Sequence, residues 1–339
     1  MRMINFAIVG ATGAVGSKIL EILNEEKDML PLRDIKFLAS DRSAGTRLYL
    51  HDQEFLVECA SPESFKNIDI AIFCAGSNVS TKLAHEAVEK GTIVIDNSSA
   101  FRMKEDVPLV VPEVNPEEIE NHRGIIANPN CSTIQMAAVL KPIYDIGGIS
   151  RVIATTFQSV SGTGLEAVEE LINQSEQIVL EKKAESNVYP YQIAFNVLPH
   201  IDDFDSMGNT KEELKLINET KKILNDGDIK ISATAVRVPV ITGHSESVYI
   251  ETVEKLSAEK ICEVLSDAPG IVVCDNPLEN KYPMPLYVAD KNEIYVGRIR
   301  EDISVENGIN LWIVADNLRK GAAYNALQIA KYIVDKNLV

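Results

Sequence analysis

The stretch Ile4-Asn5-Phe6-Ala7-Ile8-Val9-Gly10-Ala11-Thr12-Gly13-Ala14-Val15-Gly16 decides the fold of the N-terminal part of the chain. Its first six residues are almost all apolar, and many are β-branched or aromatic, a pattern typical of a strand that is buried on both faces. The three glycines are spaced G-x-x-G-x-x-G, and the apolar residues from Val15 to Leu23 then recur with the period of a helix. We therefore predict a strand, a tight glycine turn and a helix in direct succession.

The glycine turn is a candidate dinucleotide-binding site. Between a strand and a helix, such a turn lets backbone N–H groups at the helix N-terminus face the pyrophosphate of the cofactor. The turn residues expected to contact the cofactor are Gly10, Thr12, Gly13, Ala14 and Val15. A purely structural turn between a strand and a helix is the alternative.

A second strand over residues 35–39 ends in a polar segment that bears on the choice of cofactor. Arg42, with the hydroxyl groups of Ser40 and Ser43, suits the 2′-phosphate of NADP. Asp41 suits a free 2′-hydroxyl, so NAD stays open as the cofactor. A solvated loop with no cofactor contact is the alternative.

The strand and helix patterns continue to alternate through residue 127. Strand-like segments at 68–74 and 92–96 flank a helical pattern over 79–90, and a β-α-β order implies a parallel sheet. Arg102 follows the strand that ends at Asp96, at the sheet edge where open α/β folds bind ligands, and its planar guanidinium suits phosphate or carboxylate. A surface arginine is the alternative. Cys74 lies within an apolar strand, which favours an inert buried thiol.

The segment Asn128-Pro129-Asn130-Cys131-Ser132-Thr133 places one cysteine at or just before the start of a predicted helix over 132–140. The positive end of a helix dipole favours thiolate over thiol, and free N–H groups there can hold an oxyanion. Cys131 is therefore a candidate nucleophile, although a buried packing cysteine is the alternative.

The second half of the chain has a different pattern of predicted strands, helices and irregular segments. A strand over 151–158, which contains Gln158, leads to Ser161 and Gly162 and then to an acidic amphipathic helix over 165–185. The irregular segment 189–203 is rich in proline and aromatic residues, as in segments that cover a site or a subunit contact. Segments 231–238 and 245–253 alternate apolar and polar residues, which predicts antiparallel strands with one exposed face.

Two groups of polar residues in this half are candidates for substrate binding and proton transfer. Arg237 precedes a glycine-containing turn that carries His244, and the ordinary pKa of histidine lies near neutral pH. Glu212 and Lys215 lie one helical turn apart in a helix that Thr210 is expected to cap. An ordinary loop histidine and a solvated ion pair are the respective alternatives.

The overall composition limits the class of protein. A chain of 339 residues with 45% apolar and 24% charged residues indicates a globular protein with two domains. The five scattered cysteines argue against disulfides or a structural zinc site, and the N-terminus and hydropathy predict a cytoplasmic protein without a membrane span. A net charge of −17 argues against nucleic acid as a partner.

Several motifs occur together and in order along the chain, and jointly they resemble one family. These motifs are Gly10 to Gly16, Asp96 to Arg102, Asn128 to Thr133, Phe157 to Gly162, Glu212-x-x-Lys215, Arg237 to His244 and Asp316-Asn317-Leu318. Over essentially its whole length, the chain is similar to the aspartate-β-semialdehyde dehydrogenases. The resemblance implies a Rossmann-type dinucleotide-binding domain (1–131), an α+β substrate and dimerisation domain with a mainly antiparallel or mixed sheet (132–315) and a returning C-terminal helix (316–339).

The resemblance also implies a reaction and a homodimer. Aspartate 4-semialdehyde, phosphate and NADP⁺ would be interconverted with aspartyl 4-phosphate and NADPH through a cysteine acyl-thioester, without a metal. Such enzymes serve the biosynthesis of lysine and diaminopimelate, threonine, methionine and isoleucine.

The resemblance assigns a role to each matching residue. Cys131 would be the nucleophile, His244 the acid/base and Gln158 the residue that orients the acyl group. Glu212 and Arg237 would bind the substrate's amino and carboxylate groups. Phosphate would be held by Arg102, Lys215 and Asn130, and the nicotinamide side would be lined by Ser161, Gly162 and Asn317.

The sequence is also compatible with other functions. A reductase of another acyl phosphate, such as N-acetylglutamyl phosphate, would share the fold and the nucleophile, although its turn resembles N-P-G-C-Y rather than Asn128-Pro129-Asn130-Cys131-Ser132. The glyceraldehyde-phosphate dehydrogenases have a different cysteine context. A non-enzymatic alternative is a dinucleotide sensor, but a sensor would leave the cysteine, the histidine and the anion-binding residues without a function.

Overall fold

The computed structural model describes residues 2–339 and divides them into two compact units. The first unit contains the residues up to Asn130 together with Ala322–Val339, and the second contains Cys131–Gly321. Within residues 2–339, no helix is both long enough and apolar enough to cross a membrane.

The strands and helices alternate along much of the chain. The strands are β1 (Ile4–Val9), β2 (Leu32–Ala39), β3 (Arg47–Leu50), β4 (Gln53–Leu56), β5 (Glu58–Cys59), β6 (Ile70–Phe73), β7 (Ile93–Asp96), β8 (Ile125–Ala127), β9 (Ile149–Gln158), β10 (Lys230–Arg237), β11 (His244–Thr252), β12 (Ile271–Val273), β13 (Ile294–Glu301) and β14 (Gly308–Ala315). The α-helices are α1 (Ala14–Glu25), α2 (Ser77–Glu89), α3 (Cys131–Gly147), α4 (Leu165–Val179), α5 (Lys211–Ile223), α6 (Ala258–Asp267), α7 (Pro285–Val288) and α8 (Tyr324–Asp335).

The first unit is built on a parallel sheet. Its strand order is β5-β2-β1-β6-β7-β8, and every neighbouring pair is parallel. Strand β1 lies inside the sheet, and Phe6 and Ile8 on it are fully buried in a core that also receives Ile329 and Ile333 of α8. Burial on both faces explains why the strand reads as a continuous apolar run, and the predicted parallel sheet is confirmed.

The second unit contains a mixed sheet with the order β10-β9-β11-β14-β13-β12. Strand β11 is antiparallel to both β9 and β14, whereas β10 pairs with β9 in parallel. The prediction of a mainly antiparallel or mixed sheet is therefore confirmed. The prediction that segments 231–238 and 245–253 are both antiparallel strands is wrong for β10, because residue alternation reports which face is buried but not which strand lies alongside.

Two helices differ from their predicted bounds for local reasons. Helix α4 ends at Val179 rather than at 185, because Glu181 takes a left-handed conformation (φ 56°) and the N–H of Lys182 bonds back to the carbonyl of Gln177. The last helix begins at Tyr324 after a π-helical turn, not at Asp316, because the side chain of Asp316 accepts the N–H groups of the next residues in a turn.

Candidate active site

The glycine turn of the first unit forms a cradle for an anion. A Cβ on Gly10, where φ is +88°, would lie 2.9 Å from the backbone nitrogen of Ala75, and a Cβ on Gly16 would collide with the carbonyl oxygen of Gly10. Helix α1 begins at Ala14, and no side chain caps it at Gly13. Thr12 and Val15 lie half-buried in the same turn. The backbone at this helix N-terminus therefore fits the pyrophosphate of a dinucleotide.

The polar segment after β2 forms a short 3₁₀ turn over Asp41–Ser43. Ser40, Asp41 and Arg42 are exposed there, and Ser43 is half-buried. Asp41 lies beside Cys59 on β5, and a hydrogen bond from the thiol to Asp41 raises the pKa of Cys59. The carboxylate of Asp41 thus already has a neighbour on the adjacent strand.

Arg102 is held by the backbone at the carboxyl ends of β7 and β8. Its Nε donates to the carbonyl of Asn128 at 2.9 Å, and its Nη2 donates to the carbonyl of Asn97 at 2.7 Å. Its guanidinium is therefore fixed at the sheet edge, where the sequence predicted a ligand site. Asn130, also buried, is the last residue of the first unit.

Cys131 is the first residue of the 17-residue helix α3 in the second unit. Its half-buried thiol therefore lies at the positive end of the helix dipole, which stabilises the thiolate. Gly321 leaves room beside it, because a Cβ on Gly321 would lie only 2.8 Å from the Cβ of Cys131. A larger residue at position 321 would displace the cysteine.

His244, the first residue of β11, is completely buried. Its Nδ1 accepts the backbone N–H of Ser159 at 3.0 Å, so the neutral imidazole carries its proton on Nε2. Nε2 has no hydrogen-bond partner among residues 2–339, and a Cβ on Gly162 would lie 3.2 Å from it. Burial and the nearby charge of Arg237 hold the pKa of His244 well below its usual value.

Asn317 ties together the loops around His244. Its Oδ1 accepts the N–H of Gly243 at 2.9 Å and the hydroxyl of Ser159 at 3.0 Å, and its Nδ2 donates to the hydroxyl of Ser161 at 3.0 Å. The family resemblance implied that Ser161, Gly162 and Asn317 line the nicotinamide side. The structure brings these three together beside His244.

Gln158, Glu212 and Arg237 form a buried polar group at the ends of neighbouring elements. Gln158 and Arg237 are paired at the ends of β9 and β10, and Nε2 of Gln158 donates to Oε1 of Glu212 at 3.1 Å. Nη1 of Arg237 donates to the carbonyl of Ser159 at 2.7 Å, whereas its Nε has no partner within residues 2–339. The group therefore combines an acidic and a basic side chain, which suits a ligand that carries both an ammonium and a carboxylate.

Lys215 is held between two carboxylates. Its Nζ lies 2.8 Å from Asp202 and 3.1 Å from Glu212. Burial lowers the pKa of Lys215, but the two ion pairs outweigh burial, so the pKa lies above its ordinary value. A phosphate that binds Lys215 must compete with both carboxylates.

Four residues that belong to this arrangement were not singled out from the sequence. They are Ser159, Asp202, Glu246 and Gly321. Glu246 had a visible signal, because it stands in register with the apolar, inward-facing positions of β11. The other three had none, since their roles depend on contacts with residues distant in sequence. Within residues 2–339, no cluster of three or more histidine, cysteine or acidic residues could hold a metal ion.

Comparison with known proteins shows the family to which the two parts of the chain belong. Residues 5–122 match the semialdehyde dehydrogenase NAD-binding domain, and residues 140–320 match the semialdehyde dehydrogenase dimerisation domain. The chain is 51% identical to the aspartate-semialdehyde dehydrogenase of Aquifex aeolicus, with 98% of each chain covered. It is also 51% identical to that of Bacillus subtilis, with 100% of this chain and 99% of the relative covered.

Solved structures show the same likeness. The crystal structure of aspartate semialdehyde dehydrogenase II from Vibrio cholerae complexed with ASA superposes with a TM-score of 0.96 at 46% identity, covering 99% of each chain. The enzyme from Candida albicans, solved with NADP, superposes with a TM-score of 0.78 at 27% identity over the whole of both chains. The chain therefore belongs to the aspartate-semialdehyde dehydrogenase family.

Proposed function

We propose that this enzyme interconverts L-aspartate 4-semialdehyde, phosphate and NADP⁺ with L-aspartyl 4-phosphate and NADPH through an acyl-thioester on Cys131. As a member of its family, it acts in the aspartate pathway of amino-acid biosynthesis. The observation that carries the proposed mechanism is the position of Cys131 at the first residue of α3, whose first turn is bonded through Gln135 to the carbonyl of His244.

Cys131 carries the acyl group in this proposal. Its thiolate, favoured by the helix dipole, attacks the aldehyde carbon and forms a thiohemiacetal. After oxidation, the sulfur holds the acyl group as a thioester, and a phosphate oxygen attacks the acyl carbon and expels the thiolate. NADP supplies the redox chemistry when bound, as hydride acceptor in this direction and hydride donor in the biosynthetic one.

His244 is the proposed acid/base, and its neutral imidazole can donate a hydrogen bond to the intermediate. Because Nδ1 accepts from Ser159, the proton lies on Nε2, which can donate to the oxyanion of the thiohemiacetal. Its lowered pKa keeps the imidazole neutral at physiological pH, so this donor does not depend on protonation from solvent. The thiolate is supplied by the helix terminus and needs no base at the same nitrogen.

The substrate is recognised by the buried group next to His244. We assign the ammonium of the substrate to Glu212 and its carboxylate to Arg237, whose Nε is a buried donor with no partner within residues 2–339. Gln158, held by Glu212, orients the acyl group. Arg102, Asn130 and Lys215 are the proposed phosphate ligands.

For the cofactor we propose NADP, held at the glycine turn, with Ser40, Arg42 and Ser43 around the 2′-phosphate. The proximity of Asp41 to Cys59 supports NADP over NAD. The Asp41 carboxylate has a contact with the Cys59 thiol, so it is not needed to bind a free 2′-hydroxyl of the ribose. A structure of a relative with NADP is consistent with this choice. Ser161, Gly162 and Asn317 are proposed to line the nicotinamide side.

We further propose a homodimer in the cytoplasm. The match to a dimerisation domain supports the dimer, as do exposed apolar side chains on and after α4, including Ile172, Tyr191 and Phe195. Five cysteines outside disulfides suit a reducing compartment.

The test is NADPH formation from aspartate semialdehyde with and without added phosphate. We expect turnover only with phosphate, its loss in Cys131→Ser and its retention in Cys262→Ser, a matched cysteine on α6. An inactive wild type would overturn the proposal and favour a sensor, whereas a Cys131→Ser variant with comparable turnover would overturn Cys131 as the nucleophile.

A further inference from the structure

Glu246 is a buried acid that the proposed reaction does not use. It is the third residue of β11, its exposed fraction is 0%, and neither carboxyl oxygen makes a hydrogen bond of ordinary geometry within residues 2–339. A carboxylate without a counterion or donor is among the most costly groups to bury in a protein. Its presence at this position therefore needs an explanation.

Its neighbours lie in the first turn of the helix that begins with Cys131. The side chains of Ser132 and Gln135 lie beside the carboxyl group of Glu246. Nε2 of Gln135 donates to the carbonyl of His244, whereas its Oε1 has no donor in the described part of the chain. The same amide thus links α3 to the strand that carries both His244 and Glu246.

The two strands beside β11 place no charged residue opposite Glu246. The residues opposite it on the adjacent strands are Thr156 of β9 and Ile313 of β14, and both are uncharged. Two titratable groups lie on the same elements: Cys131 precedes Ser132 on α3, and His244 lies two residues earlier on the same face of β11. Burial raises the pKa of Glu246 well above its usual value, and Gln135 and Ser132 offset this only in part.

A protonated, neutral carboxyl group on Glu246 would provide a hydrogen-bond donor for Oε1 of Gln135, which is unpartnered within residues 2–339. A protonated carboxyl has one O–H to donate, and Oε1 of the neighbouring Gln135 is an acceptor that lacks a donor in the described part of the chain. With Glu246 neutral, the amide would be bonded at both ends, to Glu246 through Oε1 and to the His244 carbonyl through Nε2. A negative charge one turn from Cys131 would also disfavour the thiolate.

We propose that Glu246 is a positioning residue: as a neutral hydrogen-bond donor to Gln135, it fixes the first turn of α3 and thereby the thiolate of Cys131. This inference rests on the proposed role of Cys131 as nucleophile. Glu246 itself touches neither substrate nor cofactor in this proposal and acts only through the turn that presents the sulfur.

The test uses four single variants of the enzyme and one double variant, which combines Glu246→Leu with Gln135→Leu. Glu246→Gln keeps a neutral donor of the same shape, Glu246→Leu removes it, and Gln135→Leu removes its partner. Glu251→Leu is the matched control, because Glu251 lies on the same strand but is half-exposed and near Arg151. The measurements are the pH profile of iodoacetamide alkylation at Cys131, mapped on the peptide, with kcat, KM and Tm.

We expect Glu246→Gln and Glu251→Leu to keep the alkylation profile and kcat within about twofold of wild type. Glu246→Leu and Gln135→Leu should slow alkylation at pH 7 and lower kcat by at least about fivefold, with KM for the semialdehyde changed less than about twofold. The double variant should be no worse than either single one, because both remove the same link.

Three results would overturn the proposal. If Glu246→Leu has the wild-type alkylation profile, Glu246 only fills space; if Glu246→Gln is as impaired as Glu246→Leu at unchanged Tm, the site needs the carboxylate. If Glu246→Leu does not fold, Gln135→Leu still tests the proposal because it breaks the same hydrogen bond. Wild-type alkylation and kcat in Gln135→Leu would overturn the proposal, and Glu246→Gln still shows whether a neutral donor is sufficient. Alkylation needs no turnover, so failure here is distinct from an active Cys131→Ser, which would overturn the proposed function instead.

Discussion

Nδ1 of His244 accepts the backbone N–H of Ser159 at 3.0 Å, and the imidazole is completely buried. Burial, with the charge of Arg237, lowers its pKa well below the ordinary 6.5. The unfolded chain, in which histidine has its ordinary pKa, therefore binds a proton that the folded enzyme does not as the pH falls through about 6.5. The folded state must lose stability in that window and keep it above.

We expect His244→Gln to reduce this acid sensitivity. Between pH 7.5 and 5.5 the free energy of unfolding should fall by roughly 1 kcal/mol less in the variant than in wild type. Urea unfolding at both pH values measures the difference. His85→Gln, which changes an exposed histidine, is the control and should keep the wild-type slope. Equal slopes in His244→Gln and wild type would contradict the buried neutral imidazole.

Gly321→Ala should impair Cys131 directly. The added Cβ would lie 2.8 Å from the Cβ of Cys131, so the cysteine or the turn must move. Because small misplacements of reacting groups are costly, we expect kcat and the alkylation rate of Cys131 to fall about tenfold or more. Gly227→Ala is the matched control, since nothing lies within 4 Å of a Cβ there. Wild-type rates in Gly321→Ala would show that the site accommodates the methyl group.

Arg42→Ala should change the choice of cofactor rather than overall catalysis. If the exposed guanidinium binds the 2′-phosphate, its loss should lower kcat/KM for NADP by about tenfold or more and leave kcat/KM for NAD within about twofold. Arg47→Ala serves as the control, because Arg47 is an exposed arginine nearby that pairs with Glu54. A wild-type enzyme that prefers NAD would contradict the proposed cofactor.

Asp202→Asn should strengthen phosphate binding. Lys215 is shared between Asp202 at 2.8 Å and Glu212 at 3.1 Å, so neutralising Asp202 leaves phosphate only one competing carboxylate. Since partly exposed ion pairs are weak, we expect KM for phosphate to fall by about two- to fivefold with little change in kcat. Asp203→Asn is the control, because Asp203 pairs with Lys211 instead. A higher KM for phosphate would argue against Lys215 as a phosphate ligand.

The elements that sequence patterns predicted best are those in which local requirements and burial agree. The strand before the glycine turn matches Ile4–Val9, and α5 begins after the predicted cap at Thr210, whose hydroxyl accepts the N–H of Glu213. Elements that depend on pairing were predicted less well. The parallel alignment of β10 with β9 has no signature in either strand, because alternation of apolar residues is the same in both orientations.

The candidate site shows the same division. Cys131, Arg237 and His244 could be singled out because reactive and charged side chains next to turns are visible in a sequence. The hydrogen bond that sets the tautomer of His244 could not be, since Ser159 lies 85 residues away along the chain. Their roles remain predictions that the variants above address.

By itself, the sequence determined the parallel sheet, the glycine turn and the family, because buried strands, tight turns and ordered motifs leave local patterns. Tertiary structure alone decided what surrounds the proposed nucleophile. Strand periodicity puts His244 and Glu246 on one face of β11, but only the packing of α3 places Gln135, 109 residues from His244, against that face. Contacts between residues so distant in sequence determine protonation and position, which no local pattern records.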